Sequence, residues 1–420
     1  MALRKAGANW VEGPDRFYDR ETELDALTER VRDGNHTLLT AQRRMGKTSL
    51  VRELLRRLRE EGRFETVFVD LEDAADAADA IAAIGIEAKP VEGAWRRIVS
   101  IFSNVLQGVG ERVEELAVAD ARVKLRAGVD AGNWRRKGDE IFSALAENEP
   151  PVVLAIDELP ILVNRLLNDG REQVTPEGRR KADAFLSWLR RNGQVHRGRV
   201  VMILSGSISL EPILRRAGLG TQANIYSPFD LKPWDETAAS ACLRELAETY
   251  GLVLPPDVCR EICRRLKRQV PHHVQVFFDH LHEYLRRAGR NEATLEDVAR
   301  VYTDEMLSVR GQVDLEHYET RLRLVLETAD YRTALELLTE AAIDDGLLSD
   351  GTVDRYRERL GIAERTAVDP PSAIDDVLRL LEHDGYLERR DGGYRFVYGL
   401  LEDWWRARHG RHFVPAARRT

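Results

Sequence analysis

The chain has 420 residues, 43% of them hydrophobic, with 63 Lys and Arg against 71 Asp and Glu, a formal balance of −8. That length exceeds one ordinary core and predicts two or three packed domains, while a near-balanced charge neither demands nor excludes nucleic acid. Three cysteines are too few for a disulfide framework, and Cys259 and Cys263 lack the further Cys or His that zinc needs. No apolar run approaches the ~20 residues that span a bilayer and no secretory signal opens the chain, so the expectation is a cytoplasmic protein without membrane contact.

In chain order, Phe17-Tyr18-Asp19-Arg20-Glu21 leads into a helix with Leu24, Leu27 and Val31 on one face. A short β-like run, Thr37 to Thr40, follows, and then the stretch Ala41-Gln42-Arg43-Arg44-Met45-Gly46-Lys47-Thr48-Ser49-Leu50. Beyond it, Leu50, Val51, Leu54, Leu55 and Leu58 recur with helical period. Strand, Gly-Lys-Thr loop and helix in this order predict a phosphate-binding loop. Its backbone N–H groups cradle phosphate, Lys47 reaches the β- and γ-phosphates, and the Thr48 hydroxyl holds Mg²⁺. Ala41 stands where the pattern usually opens with Gly, a substitution a loop accepts where φ is negative.

Thr66 to Asp70 reads as a second buried strand. The Ala/Asp-rich stretch from Leu71 to Ile84 reads as a polar helix or flexible insert, and Val91 to Leu106 as another helix. Apolar residues at every second position, Val123, Leu125, Ala127 and Val129, predict a strand or hairpin between Ala121 and Val129. Pro151 to Glu158 is an unbroken apolar run that ends in Asp157-Glu158, the pattern of a central parallel strand whose carboxyl end faces ligand. Asp157 is placed to support Mg²⁺, and Glu158 to polarise the water attacking the γ-phosphate.

A basic helix, Arg179 to Asn192, precedes another buried run, Arg199 to Ser207, whose Ser205 and Ser207 are candidates for sensing the γ-phosphate or orienting water. Arg215 or Arg216 is a candidate arginine finger towards a neighbouring subunit. From Pro233 the pattern turns helical: Glu236 to Tyr250, Pro256 to Lys267, Pro271 to Ala288 and Thr294 to Leu307. The C-terminal stretch predicts helices over Arg321 to Asp344, Thr352 to Leu360 and Ser372 to Asp384. A hairpin follows, Tyr386 to Val397, turning at Asp391-Gly392-Gly393. Three helices and a hairpin describe a winged helix, with Trp404 and Trp405 expected in its core.

Taken together, the chain resembles the archaeal-type ATPases of the STAND branch of the AAA+-related P-loop proteins. The resemblance rests on Tyr18-Asp19-Arg20-Glu21, on Gln42 to Leu50, on Ile156-Asp157-Glu158-Leu159-Pro160 and on Leu204-Ser205-Gly206-Ser207, and it runs over nearly the whole chain. It implies an α/β fold: a five-stranded parallel P-loop sheet (AAA+-like) over residues 1–232, a helical lid and connector over 233–312, and a winged-helix domain over 313–420. It also implies that the entry segment with Tyr18 and Arg20 packs near adenine, and that a Gly-x-Pro turn of the lid meets the nucleotide. Only Pro271 of that turn is present, with His272 or His273 as the replacing contact.

Two functions compete at this level. One is an ATP- and ADP-binding regulatory switch that hydrolyses ATP slowly and acts on a protein partner or on its own assembly. The other is a DNA-acting ATPase, comparable to origin-recognition or transposition-helper proteins, docking its winged helix on a duplex. Major-groove reading is disfavoured because Asp375, Asp376, Glu382 and Asp384 outnumber Arg379 on the presumed recognition helix. A wing with Arg389, Arg390 and Arg395 retains a route to the DNA backbone.

Overall fold

The computed structural model describes the chain except residues 1, 8, 9, 12, 103–124, 169–173, 207, 209, 225, 309–311, 365–372 and 420. Two packing units are distinguished. One comprises Arg20–Ala41 and Lys47–Leu231, and the other Met1–Asp19, Gln42–Gly46 and Lys232–Thr420.

The first unit is built on five parallel strands, β1 (Thr37–Thr40), β2 (Glu65–Asp70), β3 (Val152–Asp157), β4 (Val200–Ser205) and β5 (Ser227–Asp230), in the order β2-β3-β4-β1-β5. Every residue of β3 and β4 is buried, as an apolar run covered on both faces requires. Helix α1 (Glu21–Arg32) buries Leu24, Leu27 and Val31, and places Glu21 and Glu23 in its first turn and Arg30 and Arg32 in its last, each sign facing the opposite end of the helix dipole. Helix α2 (Lys47–Glu60) buries Leu50, Val51, Leu54, Leu55 and Leu58. Its Glu53, 1% exposed, is held by Arg56 and Arg57 at 2.7 and 2.9 Å, so the buried carboxylate is paired.

Two sequence expectations are corrected in this unit. The Ala/Asp-rich stretch is neither polar nor flexible: helix α3 (Ala77–Glu87) is capped by Asp76, whose side chain accepts from the Asp79 N–H, and buries Ala77, Ala78, Ala80 and Ala82 through Ile86. Alanine hides the signal, because a helix packed all round shows no amphipathic period. The alternating segment is not a strand either, since Leu125, Arg126 and Ala127 are helical; residues 121–124 lie outside the described residues. The turn is secured by Arg126, which donates to Val129 O at 2.7 Å within the turn and pairs with Asp76 at 3.2 Å, a tertiary contact that overrides a short alternation. Of the helix read over Val91 to Leu106, α4 spans Glu92–Ile101, and residues 103–106 lie outside the described residues. Helices α5 (Trp134–Ala146), α6 (Leu159–Asn168), α7 (Pro176–Val195) and α8 (Leu210–Arg216) complete the unit.

The second unit is mostly helical: α9 (Glu236–Thr249), α10 (Pro256–Leu266), α11 (Pro271–Arg287) and α12 (Leu295–Arg300), the last continuing into a π-helical turn, Val301–Met306. Cys242, Cys259 and Cys263 are free and buried among these helices. The helix expected over Arg321 to Asp344 is two, α13 (Gln312–Val325) and α14 (Thr328–Ile343), with Glu327 in extended conformation between them. Beyond come β6 (Leu347–Ser349), α15 (Asp350–Glu364), α16 (Ala373–His383), β7 (Leu387–Arg390), β8 (Gly393–Phe396) and α17 (Gly399–His409). The hairpin pairs Arg390 with Gly393, and β6, which sequence patterning missed because it is three residues long, adds a third antiparallel strand in the order β6-β8-β7. Trp404 and Trp405 are 1% and 0% exposed and pack edge to face at 5.4 Å. No helix among the described residues is long and apolar enough to cross a membrane.

Glu319 ties α13 to α17. Its carboxylate meets His409 Nε2 at 3.2 Å and Arg408 Nε at 3.0 Å, and it accepts from Tyr331 Oη at 2.9 Å. The His409 hydrogen bond, foremost, with Tyr331 and Arg408, lowers its pKa from 4.5 to about 2 against the opposing effect of burial. A depressed carboxylate contributes stability that is complete above its unfolded pKa and lost as pH falls through the folded one. Replacing Glu319 by Gln is therefore expected to lower the melting temperature at pH 7 and to have progressively less effect as pH drops from 4.5 towards 2. Melts of both proteins across that range, followed by circular dichroism, check it; a pH-independent difference would exclude the charged pair as its source.

Candidate nucleotide site

Parallel strands place their carboxyl ends on one edge of the sheet, and here β1, β4 and β3 lie side by side. The register sets Leu39 of β1 against Ser205 of β4, and Leu204 of β4 against Ile156 of β3, so Ser205 and Asp157 emerge together beside the strand that leads into the loop. Asp157 is 4% exposed and its carboxylate accepts three hydrogen bonds: Thr48 Oγ1 donates to Oδ2 at 2.7 Å, Ser205 Oγ to Oδ1 at 2.7 Å, and the Glu158 N–H to Oδ1 at 3.0 Å. Three segments far apart in sequence are thereby joined on one buried carboxylate. Among the described residues no cluster of three His, Cys, Asp or Glu side chains is arranged to hold a metal unaided. The Thr48 hydroxyl and Asp157 carboxylate are hard oxygen donors of the kind that Mg²⁺ accepts alongside phosphate and water.

Lys47, 7% exposed at the start of α2, donates from Nζ to the Ala41 carbonyl at 2.7 Å, closing the chain between β1 and α2 into a ring. Within that ring Arg44 and Gly46 take left-handed backbone conformations, with φ of 66° and 85°. Such residues turn successive N–H groups towards one concave side, the geometry of an anion nest. Ala41 is not left-handed, so that position does not require glycine. Ser49 and Met45 are buried. The family resemblance implies that Arg43 and Arg44 lie at the outer rim of the loop; Arg44 is instead half-buried and donates from Nη1 to His272 Nε2 at 2.6 Å. That bond requires His272 to carry a lone pair on Nε2. Pro271 opens α11 and His273 is 3% exposed beside it.

Glu158 follows Asp157 with φ 55°, a strained conformation for a non-glycine residue. Gly206 is required here by close approach, since a Cβ would collide with the Pro160 ring and come within 3.6 Å of Glu158 Oε2. Sequence reading passed over Asp70, which lies in register with Asp157 at the end of β2. Its carboxyl is pushed above the ordinary value, first by desolvation and then by the Asp157 charge, against the Glu72 N–H. Only the strand register reveals it.

The remaining candidates are placed as follows. Arg20 is 6% exposed with φ 77° and pairs with Glu23 at 2.7 Å, while Tyr18 packs edge-on against Trp234 at 5.6 Å. Arg215 is exposed and paired with Glu211 one turn earlier. Ser207 and the side chain of Arg216 lie outside the described residues.

Against known structures, the chain is similar to the Walker-type ATPase PABY2304 of Pyrococcus abyssi, at 18% identity over 93% of this chain and 96% of that one, with a TM-score of 0.57. It is also similar to the ORC2 protein of Aeropyrum pernix in its ADPNP-ADP complexes, at 14% identity over 94% and 96%, with a TM-score of 0.52. The fold is that of an AAA+-like P-loop ATPase. No family model and no curated protein sequence matches the chain. At these identities the likeness establishes the fold, and function must be argued from the site.

Proposed function

We propose that this chain is an ATP-binding and ATP-hydrolysing regulatory switch of the STAND/AAA+ type, in which nucleotide state controls the position of the helical lid and winged helix and, through them, a protein partner or self-assembly. The observation that carries this reading is the buried Asp157 carboxylate, joined to Thr48 and Ser205 at adjacent strand ends. A metal-supported phosphate site uses a loop hydroxyl and a strand-end carboxylate of this kind together.

In this reading the N–H groups of Gln42 to Thr48 take the phosphates, and Lys47 neutralises charge on the β- and γ-oxygens. Mg²⁺, when bound, draws electron density from the phosphate oxygens, and Thr48 and Asp157 are the residues that would hold it. Glu158 takes a proton from the attacking water, with Ser205 and Ser207 near the γ-phosphate. Tyr18 and Arg20 face the base, Pro271 and His272 report from the lid, and Arg215 or Arg216 acts across an assembly.

A second reading, a DNA-acting ATPase, is supported by the likeness to an ORC2 protein. Against it, Arg389 is paired with Asp350 at 2.5 Å and Arg390 with Glu388 at 2.8 Å, so two exposed wing arginines would have to exchange these partners for phosphate. The deciding experiment is ATP turnover with and without Mg²⁺, together with binding to a duplex over a salt series with and without ATP. The switch predicts slow Mg²⁺-dependent turnover and no duplex binding at low salt. Nucleotide-dependent duplex binding that weakens steeply with salt would establish the second reading, and absence of ATP binding would overturn both.

A further inference from the structure

Residues 2–6 belong to the helical unit, and side chains rather than a sheet or helix hold them there. Leu3 is 2% exposed. The Lys5 N–H donates to the Tyr250 hydroxyl at 3.2 Å, the Ala6 N–H to Gln275 Oε1 at 3.1 Å, and the Arg4 N–H to the Asp15 carbonyl at 2.6 Å. The Lys5 side chain enters a cage. Its ammonium stands 5.0 Å from the centre of the ring of Tyr250, the residue that caps the end of α9, and 5.9 Å from that of Phe278 on α11. It donates to His282 Nδ1 at 2.7 Å and to the Asp279 carboxylate, both on α11. The His282 ring stacks on Phe278, with centroids 6.3 Å apart and planes 4° from parallel, and lies 5.2 Å from the Tyr250 ring. Aromatic faces around a cation are a recurrent way of holding an ammonium. Asp279 is itself well exposed, so its ion pair adds little, and the rings and the His282 nitrogen carry the contact.

We propose that residues 2–6 form a strap released by acid: the cage holds them to α9 and α11 through Lys5 while His282 is neutral, and protonation of His282 lets them go. An ammonium has donors only, so His282 Nδ1 must accept with its lone pair and the ring proton must sit on Nε2. A second proton on the ring takes up that lone pair and sets two cations 2.7 Å apart. The groups around His282 act in both directions. Lys5 from the strap and Arg286 of α11 oppose a charge on the ring, Asp279 and Glu283 of α11 favour it, and α9 presents the Tyr250 ring. Arg286 and Glu283 pair with each other at 3.3 Å, and Asp279 is already engaged by Lys5. Burial, foremost, and then the Lys5 charge lower the His282 pKa from 6.5 against Asp279 and Glu283. A pKa that is lower in the docked strap than in the free one means that docking favours the neutral ring. The clasp is therefore complete above 6.5 and weakens as pH falls below it.

The strap is independent of nucleotide, so its test uses the full-length protein without any. Hydrogen exchange of the Arg4, Lys5 and Ala6 amides, which the docked strap protects, is measured at about pH 7.5 and about pH 5, on either side of the ordinary histidine range, and corrected for the intrinsic rate at each pH. In the wild type it is expected to rise about tenfold at the lower pH, the effect of losing one charge-assisted hydrogen bond. Lys5→Met keeps an apolar stem without the ammonium and is expected to exchange fast at both pH values. His282→Asn offers an oxygen acceptor near the place of Nδ1 and does not titrate, so it is expected to keep the strap protected at both. A wild type without the step, the same step in His282→Asn, or wild-type protection in Lys5→Met would overturn the proposal. The amides of β3, buried in the sheet, serve as the reference, and a step of equal size there would assign the change to general unfolding and overturn it as well.

Discussion

Replacing Lys47 by Ala is expected to weaken ATP binding by roughly 30- to 150-fold and to remove measurable turnover. Lys47 sits where α2 begins, and its buried ammonium is held by the Ala41 carbonyl across the loop, so it is poised without needing to be drawn in from solvent. Its loss removes a charge-assisted contact to phosphate worth about 2 to 3 kcal/mol, which converts to the quoted range. The fold depends little on it, because α2 is anchored by Leu50, Val51, Leu54 and Leu58, each no more than 1% exposed. Titration with a fluorescent ATP analogue, beside a thermal melt, checks both halves. Wild-type affinity in a folded variant would remove the loop from the nucleotide site.

The second large effect is expected at Glu158. Glu158→Gln keeps the volume and the hydrogen-bonding reach of the side chain but cannot accept a proton as a carboxylate does, so single-turnover hydrolysis should fall by about 10²- to 10⁴-fold while ATP affinity stays within a factor of a few. The backbone argument reinforces the choice of variant. Glu158 is left-handed and its N–H is bonded to Asp157, features that a Gln side chain leaves untouched, so the loss is read as chemistry rather than collapse. Measuring the burst and steady-state rates beside the binding constant separates the outcomes. A proportional loss of affinity and rate would mean that the carboxylate serves binding, and an unchanged rate would assign the proton to another group.

These two variants divide the site cleanly, one acting on the bound state and the other on the step beyond it. Asp157 is a poor probe by comparison. Its carboxylate satisfies Thr48, Ser205 and the Glu158 N–H together, and removing it would leave buried polar groups without partners.

Much of this was legible in the sequence because it is written in local patterns. The Gly46-Lys47-Thr48 loop sits between a short strand and a periodic helix, and the runs ending at Asp157 and Ser205 are apolar throughout because a central parallel strand is buried on both faces. Residue type and spacing alone predicted four buried strands, the helical stretch after Pro233 and the hairpin turning at Gly392, whereas the five-stranded P-loop sheet was implied by the family resemblance. Where local pattern was weak or ambiguous, it misled: the alanines of α3 carry no amphipathic period, and a short alternation near Leu125 belongs to a helical turn held by Arg126.

What only the tertiary structure decided is which distant groups meet. The pairing of Thr48 and Ser205 on one carboxylate depends on strand order and register, as does the appearance of Asp70 beside Asp157. No periodicity encodes such contacts, because side-chain spacing reports the face of an element and its burial, whereas the partner on that face is set by how the elements pack. Sequence thus predicted a phosphate loop, and packing decided which distant side chains meet beside it.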